Sequence, residues 1–348
     1  MKTGSDWKSP LMLLLTATIW GVSFVAQSVG LDYVGPFTFN GVRSLLGAAV
    51  LLPVIYFLRS GRKGEGCHEA WDTQSTEQLQ AHAQSTEQLQ AHNQSMEQQG
   101  GQTGKKQAES LRTLWLGGVL CGLCLCAASS LQQIGIQYTT AGKAGFLTAM
   151  YIIIVPVLGL FFRKKCSPFV GFSILLATVG LYLLSIKDGF QVGTGDIYVM
   201  ICAVVFAIHI LVIDYFAPKC DGVKLSCIQF LVCGIICTVI AFFTETPELS
   251  RIWAARLPIA YAGVMSCGVA YTLQIIGQKG MNPTVASLIL SLESVISVLA
   301  GWIILHEALS ARELTGCVIM FVAIVLAQLP GKTAGNKEVI GTNSDCPQ

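Results

Sequence analysis

Eight side chains could do chemistry in a chain otherwise built from long apolar runs: Trp20, Asn40, Arg43, Gln133, Tyr151, His209, Gln274 and Glu293. A polar group placed inside such a run is costly, so it usually faces a cavity or a partner. Arg43 lies about six residues into the second run, in Phe39-Asn40-Gly41-Val42-Arg43-Ser44, and its guanidinium suits a carboxylate or phosphate. The competing reading is a side chain that snorkels to the interface or serves a structural ion pair. Glu293 sits mid-run in Ser291-Leu292-Glu293-Ser294. Desolvation disfavours its charged form, so it could accept a coupling proton or pair with a cationic solute. An internal hydrogen bond that fixes packing is the alternative. His209 could exchange a proton, although a lone buried histidine more often serves packing. Trp20, Asn40, Gln133 and Gln274, with Gln132 beside them, complete the candidate cavity lining. Lys143 falls at the end of a run and reads as interfacial; Pro53 and Pro156 can kink the helices that hold them.

None of this resembles an active site. The chain has no phosphate-binding Gly-x-x-x-x-Gly-Lys loop, no His-Glu-x-x-His and no Gly-x-Ser-x-Gly. No catalytic residue, cofactor or metal is therefore assigned, and ATP is not expected as an energy source within the chain. Thirteen cysteines are present. Cys121, Cys124, Cys126, Cys202, Cys227, Cys233, Cys237, Cys267 and Cys317 all fall inside apolar runs, where small, weakly polar residues let helices approach closely. Cys121-x-x-Cys124-x-Cys126 has a metal-like spacing without a loop, a nearby histidine or an acidic second shell, and we read it as packing.

The runs themselves decide the solvent. Only 12% of the 348 residues are charged while 53% are hydrophobic, and mean hydropathy is +0.60. A soluble chain carries about 25% charged residues; this one must face lipid. A net charge of +2 leaves no basic footprint for nucleic acid. Ten stretches have the roughly 20 apolar residues a membrane span needs: 11–31, 37–58, 113–135, 142–162, 168–186, 195–215, 223–244, 256–277, 283–304 and 313–330. In hydrocarbon each must be a helix, because its backbone groups can pair only internally. The first run is too long for a signal-peptide core and is followed by no clear cleavage site, so it is read as an uncleaved helix.

Orientation follows from lysine and arginine. With the N-terminus inside, the cytoplasmic segments hold sixteen of them, against five outside (Lys143, Lys187, Arg251, Arg256 and Arg312). The expected location is the cell inner membrane, multi-pass, with both termini cytoplasmic.

A repeat organises the runs. Residues 131–162 align without gaps on 273–304, an offset of 142 that pairs Leu131 with Leu273, Gln132 with Gln274, Gly135 with Gly277 and Gly159 with Gly301. Earlier the offset is 186: Ala17 falls on Ala203, Trp20 on Phe206, Leu45 on Leu231. The two offsets differ by 44 residues, about the length of a surplus loop between the second and third runs. Tyr151 thus maps on Glu293, Ser23 on His209 and Arg43 on Gln229. Five helices per half means that the second half enters the membrane from the opposite side, giving an inverted repeat of the kind secondary transporters use. The expected fold is an all-α integral membrane protein of ten transmembrane helices in two inverted five-helix repeats. The first repeat is 11–186, with a disordered Gln-rich insertion near 64–110; the second is 195–330; 331–348 is a cytoplasmic tail.

The insertion carries QSTEQLQAHA, QSTEQLQAHN and QSMEQQGGQT in tandem over 74–103. It is polar and poor in aromatics, so it cannot bury a core, and reads as disordered or transiently helical. His82 and His92 recur because the unit recurs.

At this point the chain resembles the drug/metabolite transporter superfamily, specifically its EamA-type ten-helix permeases. The resemblance rests on Ile19-Trp20-Gly21-Val22-Ser23-Phe24 and Phe39-Asn40-Gly41-Val42-Arg43-Ser44-Leu45 in the first two spans. Ala144-Gly145-Phe146-Leu147 with Pro156 follows in the fourth, then Ser291-Leu292-Glu293-Ser294, Gly301-Trp302, Leu305 and Glu307, and Gly316 in the tenth. It covers nearly the whole chain except 64–110 and the tail. The chain departs from the family at Ser294, where proline is common, and in its long glutamine-rich loop. The resemblance implies a central cavity between two halves and transport, often efflux, of amino acids, metabolites or drugs.

The function expected is a secondary transporter, an exporter of small metabolites such as amino acids, working by alternating access. Its partners would be a small-molecule substrate and the lipid bilayer, with proton or ion coupling and homodimerisation both open. The alternative is a membrane-embedded enzyme acting on lipid-linked substrates, which would need a clustered nucleophile, metal set or paired carboxylates at the membrane face. Deleting 74–103 is expected to leave flux intact in a correctly inserted variant; loss of flux there would place the loop inside the working machinery.

Overall fold

The computed structural model describes residues 7–65, 86–139, 141–161, 168–185, 193–304 and 310–328. The expected tail at 331–348, residues 66–85 with His82, and Leu305 and Glu307 lie outside the described residues. All regular structure among the described residues is helical. The helices are α1 (Lys8–Leu31), α2 (Pro36–Glu65), α3 (Thr86–Ile136), α4 (Ala141–Ala149), α5 (Tyr151–Phe161), α6 (Pro168–Ser185), α7 (Thr194–Phe216) and α8 (Gly222–Thr244). Two short helices follow, α9 (Leu249–Ala254) and α10 (Arg256–Ala260). A π-helix over Tyr261–Ala270, α11 (Tyr271–Gln278), α12 (Pro283–Leu290), α13 (Glu293–Ile304) and α14 (Ala311–Gln328) complete the chain.

Among the described residues, eight stretches are long and apolar enough to cross a membrane, including Ala141–Gly159, Arg256–Gln278 and Pro283–Ile304, which each join consecutive helices. Shorter apolar helices at Gly171–Gly180 and Leu314–Leu326 fall on the fifth and tenth runs of the sequence. Many large apolar side chains point outward, including Phe172, Phe242, Phe243 and Phe321. In water such a surface would be a liability; in lipid it is the solvated face. The buried face, by contrast, holds Asn40, Arg43, Gln133, His209, Gln229, Gln274 and Glu293. This inside-out polarity is why composition alone identified the solvent. From Thr86 onward the glutamine-rich segment is helical and runs into the third span. Its Gln, Glu, Leu and Met residues are good helix formers, so the span can propagate into it.

Packing pairs helices across the two sequence halves. α2 lies along α8, α6 along α14, and α3 along α7 and α8. α1 packs on α13, the π-helix and α11, while α7 packs on α5 and α3. Small residues permit the closest approaches. A Cβ on Gly21 would lie 2.8 Å from the Glu293 carbonyl oxygen, and one on Gly263 would lie 3.0 Å from the Arg43 carbonyl oxygen. Both glycines thus bring backbone directly against two buried ionisable residues.

Polar latches gather helix ends. Glu245, just past α8, accepts from the Phe37 and Thr38 backbone N–H groups, each at 2.8 Å, and from the Thr38 hydroxyl at 2.5 Å. A carboxylate at the first turn of α2 satisfies donors that no helix can satisfy itself. Lys143, near the start of α4, pairs with Asp196 in the first turn of α7 at 2.6 Å. Asp196 also accepts from the Thr139 hydroxyl at 3.0 Å and the Gly193 N–H at 2.8 Å. The lysine expected at an interface is therefore half of an ion pair whose carboxylate is only 3% exposed.

Candidate functional site

The fourth and ninth runs are each broken in the middle. α4 stops at Ala149 and α5 restarts at Tyr151; α12 stops at Leu290 and α13 restarts at Glu293. The break at Met150 lies six residues before Pro156, beyond the Ile152 carbonyl four residues back that the proline ring crowds, so the proline does not account for it directly. At the second break, side chains take over backbone duties. The Ser291 hydroxyl donates to the Leu288 carbonyl and the Ser294 hydroxyl to the Ser291 carbonyl, both at 2.7 Å. Serine competes with the ladder in this way and favours a local interruption.

The breaks meet. The Tyr151 hydroxyl donates to Glu293 Oε1 at 3.0 Å, joining residues 142 apart, the offset of the sequence repeat. Around this bond lies a small cavity lined by Trp20, Ser23, Phe24, Gln27, Arg43, Gln132, Thr148, Tyr151, Phe206, Ser266, Tyr271 and Glu293. The Trp20 and Tyr271 rings meet at 4.5 Å between centroids with their planes tilted by 56°, and Gln132 Nε2 donates to the Thr148 hydroxyl at 3.1 Å. Ser266 enters from the π-helix, a distortion that recurs at functional positions. Trp20 Nε1, Ser23 Oγ, Gln27 Oε1 and Arg43 Nε are buried with no hydrogen-bond partner among the described residues. An unmade bond of this kind costs about 1–3 kcal/mol each, and four on one cavity wall leave it primed for a polar ligand. The arrangement offers a cationic group, a carboxylate, aromatic faces and open donors and acceptors. These groups suit a small polar solute, but the enclosed space of about 30 Å³ must widen to admit one.

Of the eight residues singled out in the sequence, Trp20, Arg43, Tyr151 and Glu293 line this cavity. The other four are buried behind it. Asn40 Nδ2 donates to the Ser129 carbonyl at 3.0 Å, and Gln133 Nε2 to the Gln27 carbonyl at 3.3 Å. His209 Nε2 lies 3.2 Å from Gln229 Oε1. Gln274 is buried with its Oε1 unpartnered among the described residues. Arg43 does not snorkel: it is 6% exposed, with its Cζ 5.6 Å from the centroid of Phe39. Sequence reasoning did not single out Gln27, Thr148, Ser266 or Tyr271. Hydroxyls and amides in apolar helices are common, and the repeat registers none of these four against a conspicuous mate.

The fold and cavity define a multi-pass membrane protein that takes a small solute. Comparison with known proteins agrees. The profile of the EamA-like transporter family matches residues 7–71 and 193–329, and the chain belongs to that family. It is similar to an "Uncharacterized transporter" of Archaeoglobus fulgidus, 26% identical over 321 residues, covering 92% of this chain and 85% of the relative. The "Uncharacterized transporter YoaV" of Bacillus subtilis is 19% identical over 325 residues, covering 92% and 96%. A solved structure described only as "Crystal structure of protein" superposes with a TM-score of 0.65 at 14% identity, covering 93% of this chain and 97% of the other; that likeness shows the fold alone. The protein is a membrane transporter.

Tyr151→Phe removes the donor to a buried carboxylate and should lower unfolding stability by about 1–3 kcal/mol, read as a denaturant midpoint in detergent. An unchanged midpoint would mean that the carboxylate does not rely on this bond.

Proposed function

We propose that the chain is a secondary transporter, an exporter of small zwitterionic metabolites such as amino acids, that alternates access around the cavity between Arg43 and Glu293. The observation that carries this reading is the Tyr151–Glu293 bond across two interrupted helices. Broken helices at mid-membrane are where transporters place substrate and coupling sites, because freed backbone groups survive there only beside a cavity.

The inverted ten-helix repeat, with one half at 11–186 and the other at 195–330, is part of the proposal. It is supported by how sequence mates pack. Under it α2 and α8 are mates, as are α6 and α14, and each pair is in contact. The α1–α13 contact has its counterpart in α7–α5, and α3–α7 in the contact of α11 with α1. The chemistry is nonetheless asymmetric. In the second half, His209 and Gln229 hold each other. Their mates Ser23 and Arg43 both face the cavity with unpartnered atoms. A substrate carboxylate is therefore assigned to Arg43 of the first half, and the ammonium to Glu293 of the second together with the ring faces of Trp20 and Tyr271.

Glu293 would also carry the coupling proton. A mid-span carboxylate alternates readily between neutral and charged forms as its surroundings change between water and protein. With both termini cytoplasmic in the inner membrane, the Glu245 and Lys143–Asp196 latches fall on the outer side and hold that side closed here. Opening it would require both to part.

The test is flux in proteoliposomes with a panel of amino acids and other metabolites. Saturable, pH-dependent flux is expected for at least one zwitterion. Glu293→Gln should abolish flux or flatten its pH profile, and Arg43→Ala should weaken zwitterionic and anionic solutes at least tenfold more than neutral ones. An unchanged pH profile rejects the proton role, and equal losses for all solutes reject the carboxylate role. Turnover of a lipid-linked substrate without saturable flux would favour the enzyme alternative.

A further inference from the structure

Three thiols from two helices converge in the interior. Cys233 and Cys237 lie one turn apart on the same face of α8, and Cys126 faces them from α3. Their sulfur atoms all lie within 4.8 Å of one another, and Cys126 Sγ and Cys237 Sγ are 3.5 Å apart. All three residues are buried and free. Hydroxyls surround them: Ser44 Oγ donates to Cys233 Sγ at 3.5 Å, Ser129 Oγ lies 3.9 Å from the same sulfur, and Ser130 Oγ lies 3.6 Å from Cys237 Sγ. The metal-like spacing of Cys121, Cys124 and Cys126 contributes only its last member; sequence could not reveal the rest, because α8 supplies it from more than a hundred residues away. We propose that Cys126, Cys233 and Cys237 form a three-sulfur site for a trivalent thiophilic metalloid, presented as arsenous acid or its antimony analogue.

Charge selects the ion. Soft thiolates favour thiophilic centres over hard cations. A monovalent ion held by three thiolates leaves two negative charges in an apolar interior and a divalent ion leaves one, which burial penalises. A trivalent centre leaves none. The step balances without any oxidant: As(OH)3 and three cysteine thiols give As(S-Cys)3 and three waters. Three As–O bonds break, three As–S bonds form, and each thiol proton departs with one hydroxide while arsenic stays trivalent. No thiolate is left uncompensated at any stage. The serine hydroxyls orient the sulfurs as outer-shell partners. The cluster lies near the cavity wall: Ser44, which donates to Cys233, follows the cavity-lining Arg43 in α2. The site is distinct from the solute cavity and does not depend on its substrate; occupancy would tie α3 to α8.

The test uses the full chain in detergent, kept reduced with a phosphine that cannot compete as a thiol. Equilibration with arsenite should leave one arsenic per chain after desalting, and X-ray absorption should show three sulfurs in its first shell. Cys126→Ser, Cys233→Ser and Cys237→Ser should each weaken retention at least tenfold, while Cys121→Ser and Cys124→Ser should leave it unchanged. Where a serine variant does not stay folded, the alanine variant replaces it, and the coordination shell of the unmodified chain decides alone. Retention unaffected by the three substitutions, a shell containing oxygen, or a folded chain that retains no arsenic overturns the proposal. Retention of cadmium with arsenite excluded overturns the choice of ion.

Discussion

A backbone amide or carbonyl in hydrocarbon must be paired, and a helix is the only local way to pair it. Two spans of this transporter nevertheless stop and restart in their middles, at Met150 and at Ser291–Leu292. Such interruptions survive because the surrounding structure answers them: serine hydroxyls take carbonyls at one break, and the residues that restart the two helices, Tyr151 and Glu293, bond to each other. The rest of the interior is arranged about that contact. Gly21 lets α1 come against the backbone at Glu293, Gly263 lets the π-helix come against the backbone at Arg43, and the cavity opens between the two charged side chains.

The proposed repeat combines symmetric folding with asymmetric chemistry. Helices that correspond in the proposed repeat pack in corresponding ways, which suits two halves that can exchange conformations. A binding site needs the opposite, a set of groups that differ between halves. His209 and Gln229 bond to each other away from the cavity, each keeping one nitrogen unpartnered among the described residues, whereas Ser23 and Arg43 line the cavity with unpartnered atoms. Under the proposed repeat and transport mechanism, the same aligned positions would serve packing in one half and recognition in the other.

Much of this was legible in the sequence because the bilayer simplifies the problem. Length and apolarity alone placed the spans near their observed limits; α8 runs from Gly222 to Thr244 where the sequence reading gave 223–244. Polar residues inside runs pointed inward, as Arg43, Tyr151 and Glu293 demonstrate. The 142-residue offset even pairs the two residues that touch. The helix breaks were not legible, because Met150 and Leu292 are ordinary helix formers and a serine inside a span does not by itself announce an interruption. The π-helix at Tyr261–Ala270 was hidden for the same reason. The acidic latches at Asp196 and Glu245 escaped notice because a carboxylate near the end of a span looks like any solvated flank until its partner is known.

The central claim is that the cavity between Arg43 and Glu293 communicates with each side of the membrane in turn. The most direct measurement is sided labelling of Ser23→Cys, in oriented vesicles, with a membrane-impermeant maleimide and quantification of that site by mass spectrometry. The account expects position 23 to be labelled from either side, and saturating substrate to slow both reactions. Labelling from one side only, across conditions that support flux, would contradict it.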